Sequence, residues 1–263
     1  MIYDFVFVVL VYRNTNDLKD FFKSLHIPKT KVMVVNSYYD KKSEEDFERI
    51  AKANNADFIS IPNKGYGAGN NRGCEYALNH YNFKYLIISN ADVEIEKMCL
   101  DDLDETKITA PDIINRRGKR QNPAKAFNWA FTEWLIYKSF KNNKPILLWI
   151  NLVITKLLRE LFYLMNSVFG MSKIYEVHGA FIIIPQEILK RMYPLFNEDM
   201  FLYAEEDHLA RLAKKYGIEK IYNKKIRIRH KEDGSVSYSS SSQLDFVKES
   251  YVTYYESWKN GKY

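Results

Sequence analysis

Between residues 5 and 92 short apolar runs alternate with amphipathic stretches, and this alternation constrains the fold more than any other feature of the chain. Phe5 to Val11, Lys31 to Val35, Asp57 to Ile61 and Tyr85 to Ser89 read as strands, rich in β-branched and aromatic residues. Between them, Asp17 to Leu25, Ser43 to Asn54 and about Asn71 to Tyr81 read as helices, with Asn16 and Ser43 as N-caps. Strand and helix in alternation predict an α/β fold: a mostly parallel central sheet with helices on both faces. Right-handed crossovers gather the strand C-termini along one edge. Tyr12, Asn36, a glycine-rich run and Asp92 follow strand ends in this reading and are expected to meet there.

The glycine-rich run is Asn63-Lys-Gly65-Tyr-Gly67-Ala-Gly69-Asn70-Asn71-Arg-Gly73. It reads as a loop whose backbone can approach a ligand closely and whose amides supply donors and acceptors. A dinucleotide fingerprint needs G-x-G-x-x-G. Counting from Gly65 the sixth position is Asn70, and from Gly67 it is Arg72, so both registers fail. The run also follows the third strand rather than the first. The next strand ends in Ser89-Asn90-Ala-Asp92. A carboxylate there suits a divalent cation that bridges a diphosphate, Mg2+ or Mn2+.

With 263 residues the chain can bury one substantial core, and the sequence reads as a single domain. A net charge of +6 favours anionic partners. No aromatic-basic recognition motif accompanies it, so nucleic acid is not expected. Cys74 and Cys99 lack metal-ligand spacing and are too few for a disulfide framework, which fits a reducing cytoplasm. The apolar N-terminus has no basic region or cleavage site and is interrupted by Asp4, so it reads as a buried first strand rather than a signal peptide.

From about 112 to 175 the pattern changes. Arg116, Arg117, Lys119 and Arg120 form a basic patch, and long aromatic and aliphatic stretches follow. The most apolar, from Pro145 to Thr155, is soon interrupted by Lys156 and Arg159 and is too short to span a bilayer. Beyond it, Val177 to Ile184 reads as a strand, Gln186 to Met192 as a short helix, Phe201 to Tyr216 as a helix and Ile226 to His230 as a strand. A serine-rich loop from Ser237 to Gln243 and a final helix from Leu244 to Trp258 complete the pattern. Glu205, Glu206 and Asp207 are consecutive on a helix, where neighbours point about 100° apart, so at most two can face one cleft. They read either as a solvated acidic helix start or as the source of a general base.

Taken in order, these motifs resemble the family 2 glycosyltransferases of bacterial polysaccharide assembly, most of all the rhamnosyltransferase-like members that build O-antigens and capsules. The resemblance runs from about Phe5 to His230. It rests on Asn63 to Gly73, Asn90-Ala-Asp92, Gly179-Ala180-Phe181, Phe201 to Glu206, and His230 to Ser235. It implies a GT-A fold in which residues 1–110 bind the nucleotide-sugar. Residues 111–235 would form the acceptor side, with a helical insertion at about 125–175, and 236–263 a C-terminal helix. It implies donor contacts from Tyr12, Asn36, Asn63, Gly65, Gly67, Gly69, Asn70, Asn71, Asn90 and Asp92, and an acceptor cleft at Gly179, Ala180 and Phe181. Asp92 and His230 would hold the metal. Leu209 sets a register that selects Glu206 as the base, with Asp207 as rival and Glu205 beside them.

The activity implied is inverting transfer from dTDP-rhamnose or a UDP-hexose to a saccharide acceptor on a polyprenyl diphosphate carrier. Asn36 and Asn90 stand where many members carry Asp, which bears on base recognition and on metal dependence. A fold that binds nucleotide-sugar without chemistry is the alternative reading. Trp129, Trp134 and Trp149 with nearby lysines suit either peripheral contact with the inner face of the cell membrane or a helical subdomain packed on the sheet.

Overall fold

The computed structural model describes residues 2–232 and 240–263. Gly234, Ser235 and part of the serine-rich segment lie outside the described residues. The first half runs β1 (Ile2–Val11), α1 (Thr15–Ser24), β2 (Thr30–Tyr38), α2 (Lys41–Ala53), β3 (Asp57–Pro62), α3 (Tyr66–His80) and β4 (Asn82–Asn90). After a tight bend come β5 (Val93–Lys97) and β6 (Lys107–Asn115). A helical hairpin follows, α4 (Ala130–Lys141) and α5 (Pro145–Phe169). The remainder is β7 (Lys173–Ile174), β8 (Phe181–Pro185), α6 (Gln186–Met192), α7 (Glu205–Lys215), β9 (Glu219–His230) and α8 (Ser240–Lys259).

One mixed sheet takes strands from both halves of the chain, in the order β3-β2-β1-β4-β8-β6-β9-β5, with β7 on β9. β3, β2, β1 and β4 are mutually parallel. β8 reverses the direction, pairing antiparallel with β4 and with β6. The sheet is covered on both sides, which explains the unbroken apolar run of β1. Val6 and Val8 face a core shared with Cys74 and Ala77 of α3 and Leu209 of α7. Phe5, Phe7 and Val9 face a second core shared with Phe21 of α1 and Phe47 of α2.

Several boundaries differ from the sequence reading. α1 is capped by Asn14, which accepts the Asn16 N–H at 3.1 Å, and α2 by Asp40, which accepts the Ser43 N–H at 2.7 Å. β6 escaped the sequence reading because Pro111 interrupts it. The structure tolerates that proline at a register shift between β6 and β9. α7 starts at Glu205 rather than Phe201, because Tyr203 and Ala204 are left-handed, with φ of 77° and 65°. The largest correction concerns the glycine run. Only Asn63 to Gly65 is loop, and everything from Tyr66 onward is helix α3.

Candidate active site

A cleft of about 180 Å³ opens at the C-terminal ends of β1, β2 and β4. Tyr12, Asn63, Gly65, Asn90 and Asp92 line it, together with Tyr66 and Phe201 of the quoted motifs and with Asn14, Asp17 and Ser37, which the sequence did not single out. The Asn63 carboxamide oxygen accepts the Gly65 N–H at 3.2 Å and the Ser37 hydroxyl at 3.4 Å, which holds the short loop over the end of β2. Gly65 has φ +102°, and a Cβ on it would lie 2.1 Å from the Phe201 carbonyl oxygen. Glycine is therefore required where this loop presses on the segment before α7. The Tyr66 N–H completes the contact by donating to the Phe201 carbonyl at 2.9 Å.

The rest of the glycine run packs inward. Gly69 and Gly73 let α3 lie directly on β1, since a Cβ would come within 2.5 Å of the Leu10 side chain and 2.2 Å of the Val8 side chain, respectively. Gly67 meets Phe196 in the same way. Asn70 is buried and donates to the Tyr66 carbonyl at 3.0 Å. Asn71 is a buried latch: its oxygen accepts the N–H groups of Leu195 and Phe196, and its amide donates to the Phe196 carbonyl and to Glu198. None of these five residues lines the cleft: Gly69 and Gly73 serve the helix–sheet contact, Gly67 and Asn71 hold residues 195–198, and Asn70 bonds within α3. Asn36 is likewise displaced from its expected place. It lies inside β2, 1% exposed, and donates to Ser60 at 3.1 Å, while its neighbour Ser37 faces the cleft.

Asp92 occupies the bend between β4 and β5, and His230 ends β9. Both are buried, with His230 Nε2 3.3 Å from Asp92 Oδ1. The other ring nitrogen of His230 meets Gln121 Oε1 at 2.8 Å. The Gln121 amide is oriented by its own NH2, which donates to Glu232 at 2.8 Å, so an acceptor faces His230 and Nδ1 carries the proton. Nε2 therefore points at a carboxylate either as an imidazolium N–H or as a lone pair. With the lone pair outward, the two groups can share a cation. A carboxylate and an imidazole of fixed tautomer fit a divalent metal that takes its other ligands from a diphosphate. Among the described residues no cluster of three His, Cys, Asp or Glu side chains offers a metal site. His178, missed from sequence, lies beside this pair, with ring centres 5.8 Å apart. Its Nδ1 accepts the Ala180 N–H at 3.1 Å, and burial, aided by the His230 charge, holds the ring down to about 4.

The three consecutive acids have different surroundings. Burial drives the Glu205 carboxyl well above its ordinary value, with the Glu206 charge adding to the rise. Asp207 is ion-paired with Lys125, which also meets Glu176 at 2.9 Å. Burial alone would lower the Lys125 ammonium, but the two carboxylates hold it well above its usual range. Glu206 is the half-buried member, and its Oε1 accepts the Gly179 N–H at 3.1 Å. Burial raises its carboxyl, as does the Asp207 charge, while the Gly179 N–H and Lys125 oppose the rise. A Cβ at residue 179 would lie 2.6 Å from that oxygen, so glycine is what admits the carboxylate. Tyr66 joins the acid to the cleft: it lines the wall, and its hydroxyl donates to the Gly179 carbonyl at 2.8 Å. Of the expected acceptor-side residues, Gly179 borders Glu206, whereas Ala180 and Phe181 are buried. The Phe181 ring packs on Phe7 at 6.1 Å.

No family model matches the chain. The low-salt glycan biosynthesis hexosyltransferase Agl10 of Haloferax volcanii is 23% identical over 225 residues, 83% of this chain and 64% of that protein, so the chain spans just under two thirds of its relative. Among solved structures, GalNAc-T7 with UDP, GalNAc and Mn2+ superposes with a TM-score of 0.63 at 13% identity, over 97% of this chain and 48% of that one. Residues 1–349 of Staphylococcus aureus TarS give 0.54 at 14% identity, over 87% and 60%. The mannosyltransferase PcManGT of Pyrobaculum calidifontis with GDP-Man and Mn2+ gives 0.52 at 14%, over 89% and 58%. The fold is the GT-A fold shared with these structures.

Proposed function

We propose that the chain is an inverting, nucleotide-sugar-dependent glycosyltransferase. One observation carries this reading: Tyr66 of the cleft wall, Gly179 and the Glu206 carboxylate are joined by successive hydrogen bonds. This chain of contacts sets a partly exposed carboxylate of raised pKa beside a cleft that ends at Asp92 and His230. Glu206 accepts the proton of an acceptor hydroxyl as that oxygen attacks the anomeric carbon from the face opposite the departing nucleoside diphosphate. Ionised Glu206 is the competent form, so the rate rises as pH climbs through its raised pKa. The Gly179 N–H aims the carboxylate, and Asp207 is held away from the chemistry by Lys125. Tyr12, Asn63 and Gly65 flank the nucleotide, and Asn90 and Asp92 its diphosphate.

Asp92 and His230 would hold a divalent cation, Mg2+ or Mn2+, which supplies charge neutralisation to the diphosphate when bound. The Mn2+ in the GalNAc-T7 and PcManGT structures and the UDP and GDP-Man they contain support this assignment. The donor is proposed to be dTDP-rhamnose or a UDP-hexose, and the acceptor a lipid-linked saccharide of surface polysaccharide synthesis. The test is product formation from saturating dTDP-rhamnose, UDP-galactose, UDP-glucose, UDP-N-acetylhexosamines or GDP-mannose, each with Mn2+ and a polyprenyl-diphosphate saccharide. The expected result is one donor consumed with inversion at the anomeric carbon. A chain that neither binds nor consumes any of them contradicts the proposal.

A further inference from the structure

Helix α5 turns its apolar side outward. Of its 25 residues only Asn151 and Phe162 are buried. Ile146, Ile150, Val153, Leu157, Leu161, Leu164 and Val168 are all at least 36% exposed, and Leu157 is 65% exposed. At about 100° per residue these seven fall on one narrow face. The stripe repeats every eleven residues: Ile146 with Leu157 and Val168, Ile150 with Leu161, Val153 with Leu164. An eleven-residue repeat corresponds to about 3.67 residues per turn, close to the helix's own period, so the stripe drifts by only about 20° per repeat, in a shallow right-handed sense. A heptad repeat would instead wind the seam around a partner helix in a left-handed coil.

The border of the stripe is aromatic and mixed in charge. Trp149, 62% exposed, Lys156 and the exposed Glu160 flank it on one side. The α4–α5 hairpin carries Lys138, Lys141, Lys144, Lys156 and Arg159 against Glu133 and Glu160, and Glu133 is buried in an ion pair with Arg211. Isologous pairing with a second copy would set the hairpin's surplus of cations against itself. No described helix is long and apolar enough to cross a membrane. A nearly straight aliphatic stripe, a tryptophan at its edge and a surplus of cations match an anionic bilayer surface.

We propose that the outward face of α5 docks flat on an anionic lipid surface. This goes beyond the transfer reading and does not rest on it. The two are structurally linked nonetheless: Tyr163 of α5 donates to the Asn122 carbonyl at 2.7 Å, and the Asn122 side chain accepts the His178 N–H at 2.8 Å, next to Gly179. A docked α5 would thus hold the acceptor side close to the lipid surface.

The test is flotation of the full chain with phosphatidylglycerol–phosphatidylcholine vesicles and with phosphatidylcholine alone. The wild type is expected to float with the anionic vesicles. Leu157→Gln, Leu161→Gln and Leu164→Gln combined should weaken partition about a hundred-fold, and Lys156→Gln about five-fold. All four positions are exposed, and an unchanged melting temperature shows that each variant is folded. As a second reading, brominated lipid should quench wild-type tryptophan emission more than that of Trp149→Phe. A wild type that stays unbound at low salt, or a triple variant that floats equally well, overturns the proposal. So does a lipid-free dimer, seen by light scattering, that the triple substitution disperses, because a second copy would then cover the face.

Discussion

Three adjacent carboxylates on one helical turn show how much a side chain's surroundings decide its chemistry. Glu205 is buried, Asp207 is ion-paired with Lys125, and Glu206 stays partly exposed beside the Gly179 N–H. The sequence showed the acids and the limit of two per cleft. It did not show Lys125, which is distant in the chain and becomes a neighbour of Asp207 only through the fold. Asn71 teaches the same lesson from the other side. Its place in a glycine- and asparagine-rich run suggested a ligand, yet all its polar valences serve residues 195, 196 and 198. Asn71→Leu should therefore cost about 2–4 kcal/mol, because it leaves buried backbone groups without partners. Urea denaturation measures this. Little loss of stability together with a large loss of nucleotide binding would return Asn71 to the ligand.

The elements carry their own constraints. α3 can lie on β1 only because glycine occupies positions 69 and 73, which accounts for most of the composition that looked like a phosphate loop. The true loop is the short Asn63–Gly65 segment, clamped between Ser37 and Phe201. β1, β2 and β4 were legible because both faces of each are covered, leaving apolar runs. β6 was not, because Pro111 breaks its pattern at a register shift that only the pairing with β9 reveals. Lys125 joins the bridge it forms with residue 176 to α7 through its ion pairs with Glu176 and Asp207. Lys125→Met should cost about 3–5 kcal/mol, since two carboxylates would remain in the interior without their cation. Thermal and chemical denaturation test this. An unchanged stability would mean that the pair is solvated and that Asp207 is free to act.

At the scale of the whole molecule, the reversal of direction between β4 and β8 divides the labour. The parallel strands β3, β2, β1 and β4 end at the cleft, as the alternation of the first 92 residues predicted. Antiparallel β8 brings Gly179, just before its start, and β9, which runs parallel to β6 and so in the direction of β4, brings His230 at its end, to the same edge of the sheet from far along the chain. Long-range pairings of this kind leave no local pattern, so the resemblance had to name Glu206, Gly179 and His230, and the structure sets Gly179 against Glu206 and His230 against Asp92. Glu206, and not Asp207, is proposed as the base of sugar transfer. This assignment is tested most directly by measuring transfer and donor binding for Glu206→Gln and Asp207→Asn side by side. Glu206→Gln is expected to lower transfer by about 10²–10⁴-fold with donor affinity unchanged, while Asp207→Asn keeps most of its activity. Normal turnover by Glu206→Gln, with Asp207→Asn inactive, would contradict it.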